Sequence, residues 1–352
     1  MLADSNRIYV LDPAAFGVHQ FDRRGRWIST IGGRGDGPGE FRRPVAMGRL
    51  SDTLWVADRG RSRLSFFGVD GVYLRSVRFS IISGPTVVMP QRAFSGRRIA
   101  SVPYLSAGIA GQIDSLPILL FDEDGTVQDT IAWQTLGQVT VSIATREENG
   151  GSDVRTMSIN HPFDRRSLLA YDPRSRGLYL GTWRADSAGA AELELLQLAS
   201  TGDTAAVAHL PLGRATLSTR DVRSYATRIH GDLPGSFRSR VSASELARAF
   251  MQQIAKPAET AVDAMIASEN RTIWLRRTDR ASVAAPEYWT AYRFGEGFTE
   301  LIQLPIGHQL VAASGHMLWT VSRDELDLPT VTGWVPASPG ADSWDRGFSR
   351  NH

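Results

Sequence analysis

Residues Gly32–Phe41 read GGRGDGPGEF, and their reading decides the fold because they stand between two copies of one pattern. Upstream lie IYVLD (Ile8–Asp12) and VHQFDRRGRWISTI (Val18–Ile31); downstream lie LWVAD (Leu54–Asp58) and LSFFGVDGVYLRSV (Leu64–Val77). Asp12 and Asp58, Phe21 and Phe67, and Gly25 and Gly71 are each 46 residues apart. A fixed period of that size in strand-like text signals a repeat architecture, whose units bury apolar surface by stacking on their neighbours.

The same text recurs further on. An aliphatic residue followed by Trp or Tyr appears at Ile8-Tyr9-Val10, Leu54-Trp55-Val56, Leu178-Tyr179-Leu180, Ile273-Trp274-Leu275 and Leu318-Trp319-Thr320. A weaker unit, RIASV at Arg98–Val102, precedes ILLFDEDGTVQDTIAW (Ile118–Trp133). Each unit reads as four short strands, a to d, with a polar turn between c and d: DRRG at Asp22, VDG at Val69, DEDG at Asp122, STGD at Ser200 and GEG at Gly295. Such clusters supply the positive φ of tight two-residue turns. The expected fold is an all-β, six-bladed β-propeller of four-stranded blades. The blades are expected at 1–32, 44–82, 85–133, 155–212, 257–304 and 306–336, as one domain over 1–336, with 337–352 as a C-terminal tail.

Gly35–Gly71, GDGPGEFRRPVAMGRLSDTLWVADRGRSRLSFFGVDG, closely resembles an NHL repeat. The resemblance is carried by the GxGPGxFxxP opening, the VAD that ends strand b, and the Arg63-Leu64 pair that opens strand c. It is strong over two blades and implies the six-bladed NHL-like propellers found in many exported bacterial proteins, mostly without assigned roles. Blade 1 departs from the pattern by placing Gly17 where the repeat has Arg63.

Composition narrows the classes of function. With 352 residues, 42% of them hydrophobic, the chain can bury a large core. The pI of 9.1 accompanies a formal charge of only +2, so it makes no case for nucleic acid. No apolar run approaches the ~20 residues of a membrane helix, and MLADSNRIYVLD lacks the layout of a signal peptide. The absence of cysteine removes disulfides and thiolate chemistry, and it fits an exported or a cytosolic protein alike.

The strand text is interrupted once. Over 213–256 the pattern turns helical: Ser242 and Glu245 form an S-x-x-E capping box, Leu246, Phe250 and Ile254 recur on one face, and Pro257 stops the helix. This reads as a short helical insertion between blades 4 and 5, too short for a core of its own. At the ends, Met1 aligns with Met47 inside an innermost strand, and blade 6 shows no clear strand d. The expectation is a closing strand and export signal upstream of Met1, hence a periplasmic or secreted protein. The alternative is that the tail, with Trp344 and Phe348, packs there.

Alternating strands put the b-to-c loops and d-to-a crossovers on one face, and there the loops are long: 103–116, 134–161, 184–191, 213–256 and 278–287. Loops of that length in a compact domain are usually functional. On that face the candidate ligand-binding residues are His161, Arg165, Trp183, Arg184, Trp289 and His308, with Tyr288 beside them. Arginine forks suit carboxylate or phosphate, and Trp183, Tyr288 and Trp289 break the repeat at loop edges. By contrast, Tyr9, Trp55, Tyr179, Trp274 and Trp319 recur once per blade and read as packing between blades.

No cofactor or metal site is expected. His161 and His308, joined by Asp263, fall short of the three or four converging ligands a metal needs. The Arg34-Gly35-Asp36 tripeptide reads as part of the crossover, and no GxSxG elbow or phosphate-binding loop is present. The expected function is a monomeric, non-enzymatic module that binds a protein, peptide or glycan, without nucleic-acid binding or membrane insertion. The competing expectation is a propeller lyase or hydrolase of small molecules with its site at the central channel.

Overall fold

The computed structural model describes residues 1–3, 7–50, 52–78, 86–94, 98–105, 115–122, 124–135, 138–146, 152–160, 167–172, 177–185, 191–199, 201–212, 218–233, 238–239, 241–253, 262–268, 270–277, 286–314, 317–324, 329–335 and 345–351. It is a six-bladed β-propeller. Blade 1 consists of β1 (Leu2–Ala3), β2 (Arg7–Asp12), β3 (Gly17–Asp22) and β4 (Trp27–Gly32). Blade 2 consists of β5 (Pro44–Leu50), β6 (Thr53–Asp58), β7 (Arg63–Gly68) and β8 (Tyr73–Arg78). Blade 3 consists of β9 (Thr86–Phe94), β10 (Arg98–Leu105), β11 (Ser115–Asp122) and β12 (Val127–Thr135).

A separate antiparallel hairpin follows, β13 (Gln138–Arg146) and β14 (Ser152–Asn160). Blade 4 is then β15 (Leu168–Tyr171), β16 (Gly177–Ala185), β17 (Ala191–Ala199) and β18 (Thr204–Leu210). The helices α1 (Thr219–Asp232) and α2 (Ala243–Gln253) lie between it and blade 5, which is β19 (Val262–Ala267), β20 (Ile273–Arg277), β21 (Tyr288–Arg293) and β22 (Gly297–Gln303). Blade 6 is β23 (Gln309–Ser314), β24 (Met317–Arg323), β25 (Pro329–Val335) and β26 (Asp345–Asn351).

The core is a ring of seams between blades. Tyr9 packs with Leu54 and Val56 of blade 2, and Trp55 with Leu119 and Phe121 of blade 3. Leu178 and Leu180 meet Ile118 and Leu120 across the seam between blades 3 and 4. Tyr179 reaches Val262 and Ile273 of blade 5, and Trp274 reaches Leu310 and Trp334 of blade 6. Trp319 closes the ring against Ile8 and Phe21 of blade 1. In every blade but the third, one large aromatic at the same place in strand b covers the face of the next blade, because neither sheet face could remain in water.

The polar turns between strands c and d differ from the two-residue expectation. Gly25 N–H donates to Asp22 O at 2.9 Å and Asp22 N–H to Arg26 O at 2.9 Å, which makes a three-residue loop ending in a left-handed glycine. Asp22 accepts from the N–H groups of Arg24 and Arg26 and so completes the turn. The glycine has a second reason in Gly71, where a Cβ would lie 3.1 Å from Ile31 of the preceding blade. Gly125 lies as close to Val77 and Gly202 to Ile131, so these three turns tuck under the outer strand of the preceding blade.

Two boundaries are corrected by the pairing, and one expectation about the insertion by its packing. Arg155 lies in β14 of the inserted hairpin, so blade 4 begins at Leu168 and not at 155. The alternation of RTMSIN is the same whether a strand joins a blade or a hairpin, and only its partner distinguishes the two. The tail supplies β26, the outer strand of blade 6 paired to β25, so the propeller extends past Pro336. Finally, the helical insertion holds a small cluster of its own: Val222, Tyr225, Ala226, Val241, Leu246, Ala247 and Phe250 are all buried. A second helix, α1, makes that possible, since each helix covers the apolar stripe of the other.

Candidate functional site

The face bearing the b-to-c loops and d-to-a crossovers carries both folded insertions. The hairpin springs from the crossover after blade 3 and the helix pair from the crossover after blade 4, and α2 lies against β13. The hairpin excursion is pinched at its root. Ser167 N–H donates to Thr135 O at 3.1 Å and Thr135 N–H to Ser167 Oγ at 3.0 Å. Helix α2 starts where the sequence places it: Glu245 N–H donates to Ser242 Oγ at 3.2 Å, and Ser242 N–H donates to Glu245 Oε2 at 2.7 Å. The backbone and hydroxyl hydrogen bonds of Ser242 hold the Glu245 carboxyl below its usual range. His230 Nε2 lies 2.8 Å from Val241 O and ties α1 to the segment leading into α2.

The short crossover GGRGDGPGEF shows how a connection without such growth is held. Arg63 donates to the carbonyl oxygens of Gly37 and Glu40, while Glu40 Oε2 accepts from Gly37 N–H at 2.7 Å. Asp58, fully buried, accepts from the N–H groups of Arg42, Arg43 and Gly60. Asp36 of the Arg-Gly-Asp triplet is taken up by Arg42, at 2.5 and 2.6 Å, and by Arg61. The Arg42 hydrogen bonds lower the Asp36 pKa to about 2.

Of the six sequence-derived candidates, His161 and Arg165 lie outside the described residues. Trp183 and Trp289 are core residues, exposed by only 7% and 2%, in place of loop-edge contacts. Strand parity explains it: Trp183 is four residues beyond Tyr179 in β16, so it shares the face that packs on blade 5. Trp289 pairs with Arg276 and shares the face of Trp274 toward blade 6. Tyr288, next to it, is half-buried.

Arg184 is exposed and paired through Nε to Glu194 at 2.7 Å. His308, half-buried ahead of β23, has Nδ1 at 2.9 Å from Thr320 Oγ1 and its ring edge-on to Trp334 at 5.4 Å. The structure therefore places Arg184 in blade 4 and His308 in blade 6, separate residues of one face.

A polar cluster in blade 5 was only partly visible beforehand. Arg276 binds Asp263 through two bonds, Nε to Oδ1 at 2.7 Å and Nη2 to Oδ2 at 2.9 Å. Its Nη1 donates to Glu287 Oε1 at 2.9 Å, and Trp289 Nε1 donates to Glu287 Oε2 at 3.0 Å. Burial opposes the Arg276 charge, but Asp263 and Glu287 outweigh it and hold the guanidinium more firmly protonated than usual. Asp263 falls where the β19–β20 register slips, and Val45 and Val311 hold the corresponding place in blades 2 and 6. A bulge turns a side chain out of the alternation, so Asp263 was noted at a strand start while its partners were not. Among the described residues no group of three or more His, Asp or Glu could hold a metal ion, and no helix is long and apolar enough to cross a membrane.

Residues 2–90 match the family model described as "6-bladed beta-propeller". No curated protein matches the chain. Among solved structures it is similar to a candidate exported protein of Bacteroides fragilis NCTC 9343, with 12% identity over 91% of this chain and 77% of that one, TM-score 0.45. It is also similar to apo AztD from Citrobacter koseri, with 11% identity over 97% and 82% of the two chains, TM-score 0.43. A functionally unknown protein from Desulfotomaculum acetoxidans DSM 771 shows 8% identity over 99% and 80%, TM-score 0.39. The six sheets and the family match over the first two blades together make this chain a six-bladed β-propeller.

Proposed function

We propose that the chain is a non-enzymatic binding propeller whose loop-bearing face, with its hairpin and helix pair, receives a protein, peptide or glycan. The observation that supports this is the inequality of the two faces. Both insertions rise from crossovers on one face, and among the described residues the helix pair packs in a cluster of its own, apart from the seams that hold the blades together. Ordering such segments costs about 1–2 kcal/mol per residue in backbone entropy, a cost that the propeller core does not recover. Structured excursions of this kind on a rigid scaffold are where binding residues concentrate. Arg184, His308 and, in the same reading, His161 and Arg165 belong to this face. A monomer acting outside the cytoplasm is part of the proposal and rests on the NHL-type resemblance of the first two blades.

The test replaces 136–166 and 213–261 with short glycine-rich crossovers and screens both proteins on peptide and glycan arrays. The full chain is expected to give signals that the double replacement loses, with the near-UV circular dichroism of the blades retained. Should the folded double replacement bind every probe as the full chain does, the reading fails. Cell fractionation of the producing organism checks the compartment.

A further inference from the structure

The segment between blades 4 and 5 is electrostatically unlike the rest of the chain. Residues 213–256 hold seven arginines and Lys256 against Asp221, Asp232 and Glu245, a formal +5, although the whole chain carries only +2. The remainder is therefore −3, and within the segment the carboxylates are too few to neutralise the cations. In the blades, by contrast, arginines meet carboxylates: Arg26 meets Asp22, Arg42 meets Asp36, Arg184 meets Glu194 and Arg276 meets Asp263.

The structure gathers part of this excess on one side of α1. Val222, Tyr225, Ala226 and Ile229 pack in the helix-pair cluster. A period of 3.6 residues turns Arg220, Arg223 and Arg228 away from that side, over a rise of about 12 Å, and all three are exposed. Arg228 lies over the Tyr225 ring at 5.1 Å, which orients its guanidinium without neutralising it.

These charges do not serve the helix itself. Arg220 is the second residue of α1, where the macrodipole disfavours a cation. Arg220 and Arg223 are like charges three residues apart, a spacing at which they repel. The packing of α1 on α2 uses the other side, so folding of the pair does not require the stripe.

The shape of the stripe selects what it can hold. An exposed helix side is a ridge, whereas small ligands are held in concave sites. Tyr225, the only Tyr, Phe or Trp of α1, is buried and packs against Phe250 at 5.5 Å, so the helix offers no outward aromatic platform for a sugar ring. A helix enters a membrane surface by a free apolar face, and that of α1 is already covered. A carboxylate-bearing protein segment needs neither a cleft nor an apolar face, and a guanidinium receives a carboxylate through a two-point fork.

Resting on the binding-face reading above, we propose that α1 docks an acidic segment of a partner protein, whose carboxylates pair with Arg220, Arg223 and Arg228. Fluorescence anisotropy on the full chain tests this with a labelled peptide of repeated Glu-Glu-Ala. Binding is expected at low ionic strength and weakens as salt screens the exposed charges. It should weaken roughly tenfold or more in the Arg220→Glu/Arg223→Glu/Arg228→Glu variant, whose fold is checked by circular dichroism. The Arg220→Gln/Arg223→Gln/Arg228→Gln variant keeps good helix formers at each position and should lose binding as well. Arg23→Glu/Arg24→Glu/Arg78→Glu makes the same change of net charge at exposed positions of blades 1 and 2, and should keep binding within about twofold. No binding of the peptide, undiminished binding to the folded α1 variants, or an equal loss in the blade variant would each overturn the proposal.

Polygalacturonate, phosphatidylserine vesicles and a mixed-sequence DNA duplex serve as the other polyanions. If any of them binds more tightly than the peptide and loses affinity in the α1 variants, the assignment to an acidic protein segment falls. The binding-face reading survives that result, provided the double replacement also abolishes binding; if the double replacement binds all probes unchanged, both fall.

Discussion

The crossover from blade 1 to blade 2 and the crossovers out of blades 3 and 4 make the same topological step by opposite means. The first, 33–43, is saturated: Arg63, Glu40 and buried Asp58 occupy its backbone carbonyls and amides, and Asp36 is held between arginines. The crossover after blade 3 is tied at its root by Thr135 and Ser167, and both it and the crossover after blade 4 carry folded excursions. Closing a longer loop costs little more than closing a shorter one, only about 0.6 kcal/mol per doubling. A crossover whose ends are pinned can therefore grow without loss of the blades, and growth is where a propeller acquires a surface of its own.

That contrast can be broken most forcefully at Asp58. Asp58→Ala leaves the half-buried N–H groups of Arg42, Arg43 and Gly60 without their acceptor, and stability in urea unfolding is expected to fall by ~2 kcal/mol. A loss below ~1 kcal/mol would mean that the crossover is held by its glycines alone. Arg63→Ala frees two carbonyls of a half-buried loop and should cost about 1–2 kcal/mol by the same measurement. Its effect in blade 1 has no counterpart, because Gly17 stands in the equivalent place.

On the insertion side, Ser242→Ala removes the cap of α2 and should cost about 1 kcal/mol locally. Hydrogen exchange should speed up in α1 and α2 while the blades keep their protection. If the whole molecule loosens together, the helix pair is not the independent unit its separate cluster indicates.

The smallest effect concerns acid. Asp36 is held by Arg42 and Arg61 at a pKa of about 2, against an ordinary 3.8. A depressed folded pKa means that its contribution is present above about pH 4 and is lost as pH falls through about 2. Asp36→Asn should flatten the stability–pH curve in that window. An identical slope in both proteins would show that solvent screens these exposed pairs completely.

Much of this was legible in the linear text. The 46-residue offset located the first two blades and a recurring aromatic three of the other four, because inter-blade burial needs a large apolar residue at the same strand position. The capping box at Ser242 and Glu245 was equally readable, being a contact between residues three apart. Helix α1 was missed although Val222, Tyr225, Ala226 and Ile229 follow the 3.6-residue period. Trp183 and Trp289 read as contacts at loop edges, whereas parity with Tyr179 and Trp274 puts them in the seams.

By itself, then, the sequence determined whatever depends on period and on near neighbours: six blades, the seam aromatics, the glycine turns and the first residue of α2. Tertiary structure alone decided which strands share a sheet, and so turned 138–160 into a hairpin and the tail into β26. It also decided that Asp263, Arg276 and Glu287 meet at one bulge, and that Arg42 of the crossover is paired with Asp36. The physical reason is common to all of these. A strand's alternation records that one of its faces is buried but not what buries it, and a charge records its own sign but not the distance to its partner.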